Sequence, residues 1–290
     1  MGKFLDNLHT LRAKIFGEKP PLVAVVRLTG VIGEGGRFSK GLTLESIAET
    51  LDEAFALRGL SAIAFQINSP GGSPVQSAFI TDRIRDLARE KDIPVLTFAE
   101  DVAASGGYML MLAGDKLYAH EASIVGSIGV ISGGFGYVEA MKKLGVERRV
   151  YSAGERKSQL DPFMPEDESD VEHLKGIQIE VHEFFKKMVR DRRGKRLKGL
   201  RGKIFSGEFF TGAESKRLGL IDETGEMRKV LKDRFGDKVR IKKVGEKKKG
   251  LMSLLGMSKS GAIGEDMAGD IAGGILSSLE EKAQWGRFGR

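Results

Sequence analysis

Two segments hold residues whose types could do chemistry: Ala103-Ala104-Ser105-Gly106-Gly107-Tyr108 and Gly154-Glu155-Arg156-Lys157-Ser158. Ser105 stands in a small-residue turn ahead of an apolar run, and Lys157 in a polar loop after a strand-like Arg148–Ser152. A hydroxyl becomes a nucleophile only when a base takes its proton. The four histidines, His9, His120, His173 and His182, offer no plausible base and no metal-ligand spacing. A lysine amine can serve if it is neutral; a free lysine titrates at about 10.4, so its surroundings must disfavour the ammonium, as burial does. Ser105 as nucleophile and Lys157 as base therefore point to a hydrolase. Taken alone, a Ser-Gly-Gly is equally an ordinary loop or a helix N-cap. Glu100 and Asp101 read as turn- or loop-anchoring groups, and His120 does not read as a catalytic histidine.

The elements that must position this pair read as alternating strands and helices. Leu22–Leu28 reads as a buried strand, Ala62–Ile67 as a second and Ile93–Phe98 as a third. Between them, Leu44–Leu57 has helical spacing, and Pro74 opens a helix with Phe79, Ile80, Ile84 and Leu87 on its apolar face. Asp170–Val189 is a long amphipathic helix through Leu174, Ile177, Val181, Phe184 and Met188. Short apolar strands alternating with amphipathic helices predict a largely parallel α/β sheet covered on both faces. Asn68–Ser73 closes the second strand with a glycine turn. The N–H groups of Gly72 and Gly106 are candidate oxyanion donors, although tight-turn geometry explains either glycine equally well.

Hydrophobic residues make up 41% of the 290, enough for a sizeable core, and charged residues 30%. The absence of cysteine excludes disulfides, thiolate metal sites and a cysteine nucleophile. The formal charge of +7 is uneven: ten basic residues and one acid lie between Lys186 and Lys203, and seven basic residues between Lys238 and Lys249. Such runs are either solvated surface or contacts to an anionic membrane; no nucleic-acid-binding signature accompanies them. Phe4, Leu8, Leu11 and Ile15 share one helical face, so residues 1–19 read as an amphipathic helix that packs on protein or lies at a membrane interface. No run of 18 apolar residues occurs. Residues 20–244 form the main domain, and 245–290 read as a flexible or partner-dependent tail.

Four segments carry a family resemblance: INSPGG (67–72), DVAASGGY (101–108), VGSIGV (125–130) and YSAGERKS (151–158). Together they resemble the signal peptide peptidase A family of bacterial serine peptidases, with likeness running from about Leu22 to Phe235. The resemblance implies Ser105 as nucleophile, Lys157 as general base and Ser127 as the hydroxyl that orients the lysine. It implies a Clp protease/crotonase-like ββα-spiral in a single domain, no metal and no nucleotide cofactor. It further implies rings of identical subunits in which the serine of one meets the lysine of its neighbour. The implied substrates are signal-peptide remnants and other short or unfolded polypeptides, cut at small or apolar residues.

Members of that family carry a membrane-spanning anchor where this chain has the amphipathic stretch 1–19. The expectation is thus a cytoplasmic enzyme, peripheral on the inner face of the membrane through residues 1–19 and the basic runs, with no nucleic-acid partner. Two other classes remain open from sequence: a crotonase-type acyl-CoA enzyme and a catalytically inactive membrane-associated scaffold of the same fold.

Overall fold

The computed structural model describes residues 19–33, 41–199, 201–245 and 282–289. The amphipathic stretch expected over 1–19 lies outside the described residues apart from Lys19, as does most of the expected tail. Eight described strands form one mixed sheet: β1 (Leu22–Thr29), β2 (Leu60–Ser69), β3 (Val95–Ala104), β4 (Lys116–Ala119), β5 (Ile124–Gly126), β6 (Phe209–Thr211), β7 (Glu223–Thr224) and β8 (Arg240–Val244). Their order is β6-β5-β3-β2-β1-β8, with β4 beside β3 and β7 beside β4. Every pairing is parallel except β5 with β6.

The continuous apolar runs are explained by burial on both faces. Ala24, Val26, Leu28, Ile63, Phe65, Ile67, Val95 and Ala99 face the larger core. Val23, Val25, Ala62, Ala64, Leu96 and Phe98 face a smaller one. The larger core is closed by α1 (Leu44–Phe55), α2 (Pro74–Lys91), α3 (Gly106–Met111) and α5 (Glu168–Arg193); α4 (Val138–Leu144) contributes no buried residue. Beyond α5 come α6 (Arg201–Ile204), α7 (Gly212–Leu218) and α8 (Met227–Phe235), the last covering the smaller core with Met227 and Leu231. Local signals start these helices where the sequence places them. Thr43 and Ser46 form a capping box at α1, and Ser73 with Pro74 opens α2.

Several expectations need correction. Phe79 is exposed, because α2 buries Ser77, Ala78, Ile80, Thr81, Ile84, Leu87 and Ala88 instead. Ile177 and Phe184 of α5 are also exposed; only Phe185, Val189 and Arg193 near its C-terminus are buried. Arg148–Ser152 forms no strand and finds no sheet edge to join. The basic block after Lys186 is largely committed. Lys186 pairs with Glu183, Lys187 with Asp191, and Arg193 is buried against Asp222 at 3.0 Å.

That last pair ties α5 to the segment after α7. Arg193 also donates to Gly219 O, and Leu117 N donates to Asp222 Oδ2. Burial by itself raises the Asp222 pKa, but the hydrogen bonds from Arg193 and Leu117 and the nearby charges of Arg193 and Lys116 outweigh it and hold the carboxyl below its ordinary range. A depressed carboxyl pKa contributes stability that is present above the unfolded value of about 3.9 and lost as pH falls through the folded one. Arg193→Met removes the main partner of a buried carboxylate and should cost about 3–5 kcal/mol at pH 7. Urea unfolding checks this, and the variant should lose less stability than wild type between pH 5 and acid, where the pair contributes nothing.

Candidate active site

Parallel pairing brings three loops to one place. β2 and β3 pair in register Ile67↔Ala99 and then Ser69↔Ala103, so β3 advances four residues while β2 advances two. Asn68 fills that irregularity: its Oδ1 accepts from Val102 N and its Nδ2 donates to Asp101 Oδ2. The bulge divides β3 into a half that pairs with β4 and a half that pairs with β5 through Ala104↔Gly126. The residues after that last register pair are Ser105 and Ser127. They leave neighbouring strands side by side, next to Gly71-Gly72 at the end of β2.

Ser105 has φ 51° and ψ −121°, backbone geometry that costs a residue with a Cβ on the order of 1–3 kcal/mol. Its N–H donates to Gly126 O at 2.8 Å, and its carbonyl accepts from Tyr108 N and Met109 N. Ser105 thus precedes α3, yet its hydroxyl caps nothing. Among the described residues the half-buried Ser105 Oγ makes no hydrogen bond, so the N-cap alternative fails. A strained strand-to-helix turn with an unspent hydroxyl is the geometry that presents a nucleophile.

The helix behind it is fixed from its far end. All six residues of α3 are buried. Thr81 Oγ1 donates to Met109 O, Thr97 Oγ1 to Met111 O, Arg85 to Ala113 O, and Arg192 to both Leu112 O and Gly114 O. Tyr108 is core, its OH donating to Leu220 O at 2.7 Å. Burial pushes that hydroxyl far up, keeping it a neutral donor. Sequence reading missed Thr81, Thr97, Arg85 and Arg192, because a polar residue on an amphipathic helix or strand gives no sign of the carbonyl it meets.

The glycine turn approaches Ser105 closely. Gly71 has φ 111°, and a Cβ there would lie 2.8 Å from Ser105 Cβ and 3.0 Å from Gly106 N; at Gly72, φ 135°, a Cβ would lie 2.0 Å from Ile32 O. Among the described residues, the amides of Gly72 and Gly106 donate to no protein acceptor. Ser127 is buried with φ 54°, its N–H bonded to Glu208 O at 2.7 Å and its carbonyl accepting from Gly129 N.

Lys157 is placed differently. It lies in an exposed stretch, residues 131–158, that carries no strand and only the short α4. Lys157 N bonds Gly154 O in a local turn, while Arg156 reaches Asp170 Oδ1 and Ser169 O at the start of α5. No hydrogen bond or ion pair holds the Lys157 ammonium, and none joins it to Ser105 or Ser127 among the described residues. Large apolar side chains stand out of the same stretch: Ile131 is 74% exposed, Phe135 76%, Leu144 76% and Tyr151 92%.

The other tempting groups are committed elsewhere. Glu100 pairs with Arg27 at 2.7 Å, and His120 Nδ1 accepts from Ala122 N in a turn. Two adjoining clefts of about 500 and 640 Å³, sharing Gln66, Glu100, Glu226 and Met227, contain neither Ser105 nor Lys157. Among the described residues no cluster of histidines and carboxylates is arranged to hold a metal ion.

The family model described as peptidase family S49 matches residues 87–238, a span that holds Ser105, Gly106, Ser127 and Lys157. The chain belongs to peptidase family S49. It is similar to a putative protease of Methanocaldococcus jannaschii, 32% identical over 64% of this chain and 58% of that protein. It is also similar to a putative signal peptide peptidase SppA of Enterococcus faecium, 29% identical over 58% of this chain and 48% of that one. A protein named Na(+)/H(+) antiporter NhaA of Brucella abortus is 48% identical over 92% of this S49 chain, a stretch making up only 37% of that protein. The chain therefore spans well under two thirds of the length of these relatives. A solved membrane-bound stomatin-specific protease aligns with 79% of it at 14% identity and a TM-score of 0.47.

Gly71→Ala tests the close approach directly. The added methyl must push on Ser105 Cβ and Gly106 N, so the S49 chain should remain folded by circular dichroism while labelling of Ser105 by a fluorophosphonate falls by roughly 10²-fold. Labelling at the wild-type rate would show that the turn leaves the serine undisturbed.

Proposed function

We propose that this chain is a serine endopeptidase using a Ser105–Lys157 dyad, completed when a neighbouring copy brings its lysine to the serine. The observation that carries this is the strained, half-buried Ser105 with an uncommitted hydroxyl, beside Ser127 and two unpaired glycine amides. In this reading Ser105 Oγ attacks the scissile carbonyl as its proton passes to the neutral Nζ of Lys157. The tetrahedral oxyanion accepts from Gly72 N–H and Gly106 N–H. Collapse breaks the C–N bond, and the leaving amine takes the proton from Nζ. A water molecule, deprotonated by the same Nζ, then releases the acyl group from Ser105. Ser127 Oγ orients the amine.

An exposed lysine is a poor base, and the exposed apolar side chains of the same stretch give a reason for its exposure in the single chain. Ile131, Phe135, Leu144 and Tyr151 suit burial against a second copy, which would desolvate Lys157 and favour its neutral form. The same reading carries the Clp protease/crotonase-like spiral and a ring assembly. Its substrates are signal-peptide remnants and other short or unfolded polypeptides with small or apolar residues at the cut.

The enzyme's proposed place is the cytoplasmic face of a membrane. Exposed Arg240 and Lys242 on the edge strand β8 support contact with anionic lipid. Among the described residues no helix is long and apolar enough to cross a membrane. The Brucella relative, named as an ion antiporter, is consistent with work beside membrane proteins.

Two predictions follow from the shared site. Ser105→Ala and Lys157→Arg should each fold and assemble yet hydrolyse no fluorogenic peptide with an apolar P1 residue, since a guanidinium stays protonated. Residual turnover in folded Lys157→Arg would remove lysine as the base. Mixing separately inactive Ser105→Ala and Lys157→Ala subunits, after dissociation and reassembly, should restore about a quarter of wild-type activity, because one interface in four joins a good serine to a good lysine. No recovery in reassembled mixtures would place both groups in one subunit.

A further inference from the structure

The α5 helix touches the site at a residue that the dyad does not use. His182 Nε2 lies 2.9 Å from Ile128 O, the carbonyl that follows Ser127. A carbonyl only accepts, so Nε2 carries the proton and donates. Ile128 itself is fully buried.

We propose that His182 is a positioning residue for the serine–lysine pair: by holding the Ile128 carbonyl it fixes Ser127 in the conformation that presents its hydroxyl to lysine. This rests on the dyad reading above and deepens it. Ser127 has φ 54°, a region that a residue with a Cβ occupies only when its surroundings impose it. Four hydrogen bonds impose it here. Ser105 N holds Gly126 O, Glu208 O holds Ser127 N, Gly129 N holds Ser127 O, and His182 holds Ile128 O. The first three are backbone bonds that any sequence retaining β5 and its neighbours would make. The fourth is the one side-chain contribution among them, and it comes from α5.

That helix is held chiefly by its C-terminal half, where Phe185 and Val189 are buried just after His182. Asp170 near its start accepts from Arg156 and Leu160 N, and Arg192 and Arg193 near its end bind the backbone after α3 and Asp222. His182 is thus carried on a rigid element, which is what a positioning group needs. Without it, the part-buried Ile128 carbonyl loses its partner and the turn can relax toward ordinary φ, rotating Ser127 Oγ away. Ser105, which shares Gly126 with that turn, would keep its own backbone bond. The expected defect is therefore in proton transfer rather than in substrate binding.

The experiment is a double-mutant cycle with Ser127→Ala, read as kcat and KM on a fluorogenic peptide alongside Tm. His182→Ala should lower kcat about 10- to 100-fold with KM changed less than twofold. His182→Gln, whose amide N–H can reach the same carbonyl, should recover most of the loss. In a Ser127→Ala background His182→Ala should cost little further, since its effect passes through that hydroxyl. An equal loss in both backgrounds, or no loss at all, overturns the positioning role. If His182→Ala fails to fold, the cycle is run with His182→Gln against His182→Asn, whose shorter side chain should not span the gap; equal kcat in the two then overturns it. Peptidase activity that survives Ser105→Ala would instead sink the dyad reading and leave this proposal without a site, a separate and distinguishable failure.

Discussion

The hydrogen bond from Ser105 N to Gly126 O, the last rung of the β3–β5 ladder, is the constraint on which the site depends. Because parallel strands run the same way, everything that follows their last paired residues emerges at one edge. One register pair therefore delivers Ser105 and Ser127 to adjacent positions, and β2 supplies the glycine turn beside them. A shift of one residue in β5 would turn Ser127 to the other face of the sheet. The bulge in β3, filled by the Asn68 side chain, lets one strand serve two partners in succession and gives β5 its place next to the serine.

Positive φ at both Ser105 and Ser127 is stored strain, and the surrounding structure must overdetermine it. At Ser105 the restraint is heavy. The helix that follows is wholly buried, and Thr81, Thr97, Arg85 and Arg192 occupy the carbonyls at or just beyond its C-terminal end. A net gain of about 1 kcal/mol for an ordinary hydrogen bond, and about twice that for a charged donor, makes such a set ample to offset the strain. Charged donors are used here against neutral carbonyls, which explains why part of the basic run after Lys186 points inward. Ser127 has fewer restraints, so the loss of any one of them should be felt more.

The sequence made the parallel α/β core legible because burial on both sheet faces leaves mostly apolar runs such as Leu22–Leu28, interrupted only by Arg27. The site's serine and glycine turns were legible for a related reason: short polar and glycine-rich segments directly after strands have one place to go. Side-chain periodicity failed where coverage is incomplete. Ile177 and Phe184 keep helical spacing on α5, yet only the last turns of that helix meet the core, and the earlier apolar positions are left exposed. Phe79 on α2 is exposed for a different reason: that helix turns Ser77, Ala78, Ile80 and Thr81 inward instead. Hydrophobic spacing reports that a face wants covering without saying what covers it. Arg148–Ser152 looked like a strand by composition, but a strand exists only if an edge accepts it, and none does here. The anchoring roles of Arg192 and His182 were invisible because their partners are backbone carbonyls, which leave no mark in the sequence.

The failures on α5 and at Arg148–Ser152 share a location. The exposed Ile131–Val150 side chains, the exposed apolar positions of α5 and the uncommitted Lys157 all belong to the stretch running from the end of the Ser127 loop into α5. Its sequence carries more apolar surface than a solvated arm needs. Surface of that kind scattered singly requires no explanation, whereas large contiguous patches of it are characteristic of interaction sites. On the shared-dyad reading, one requirement accounts for both features. The lysine must leave water to become a base, and the apolar groups flanking it can be buried only by another surface. A chain built this way keeps its strained serine without a base until it assembles, so the nucleophile forms in the same step that encloses it.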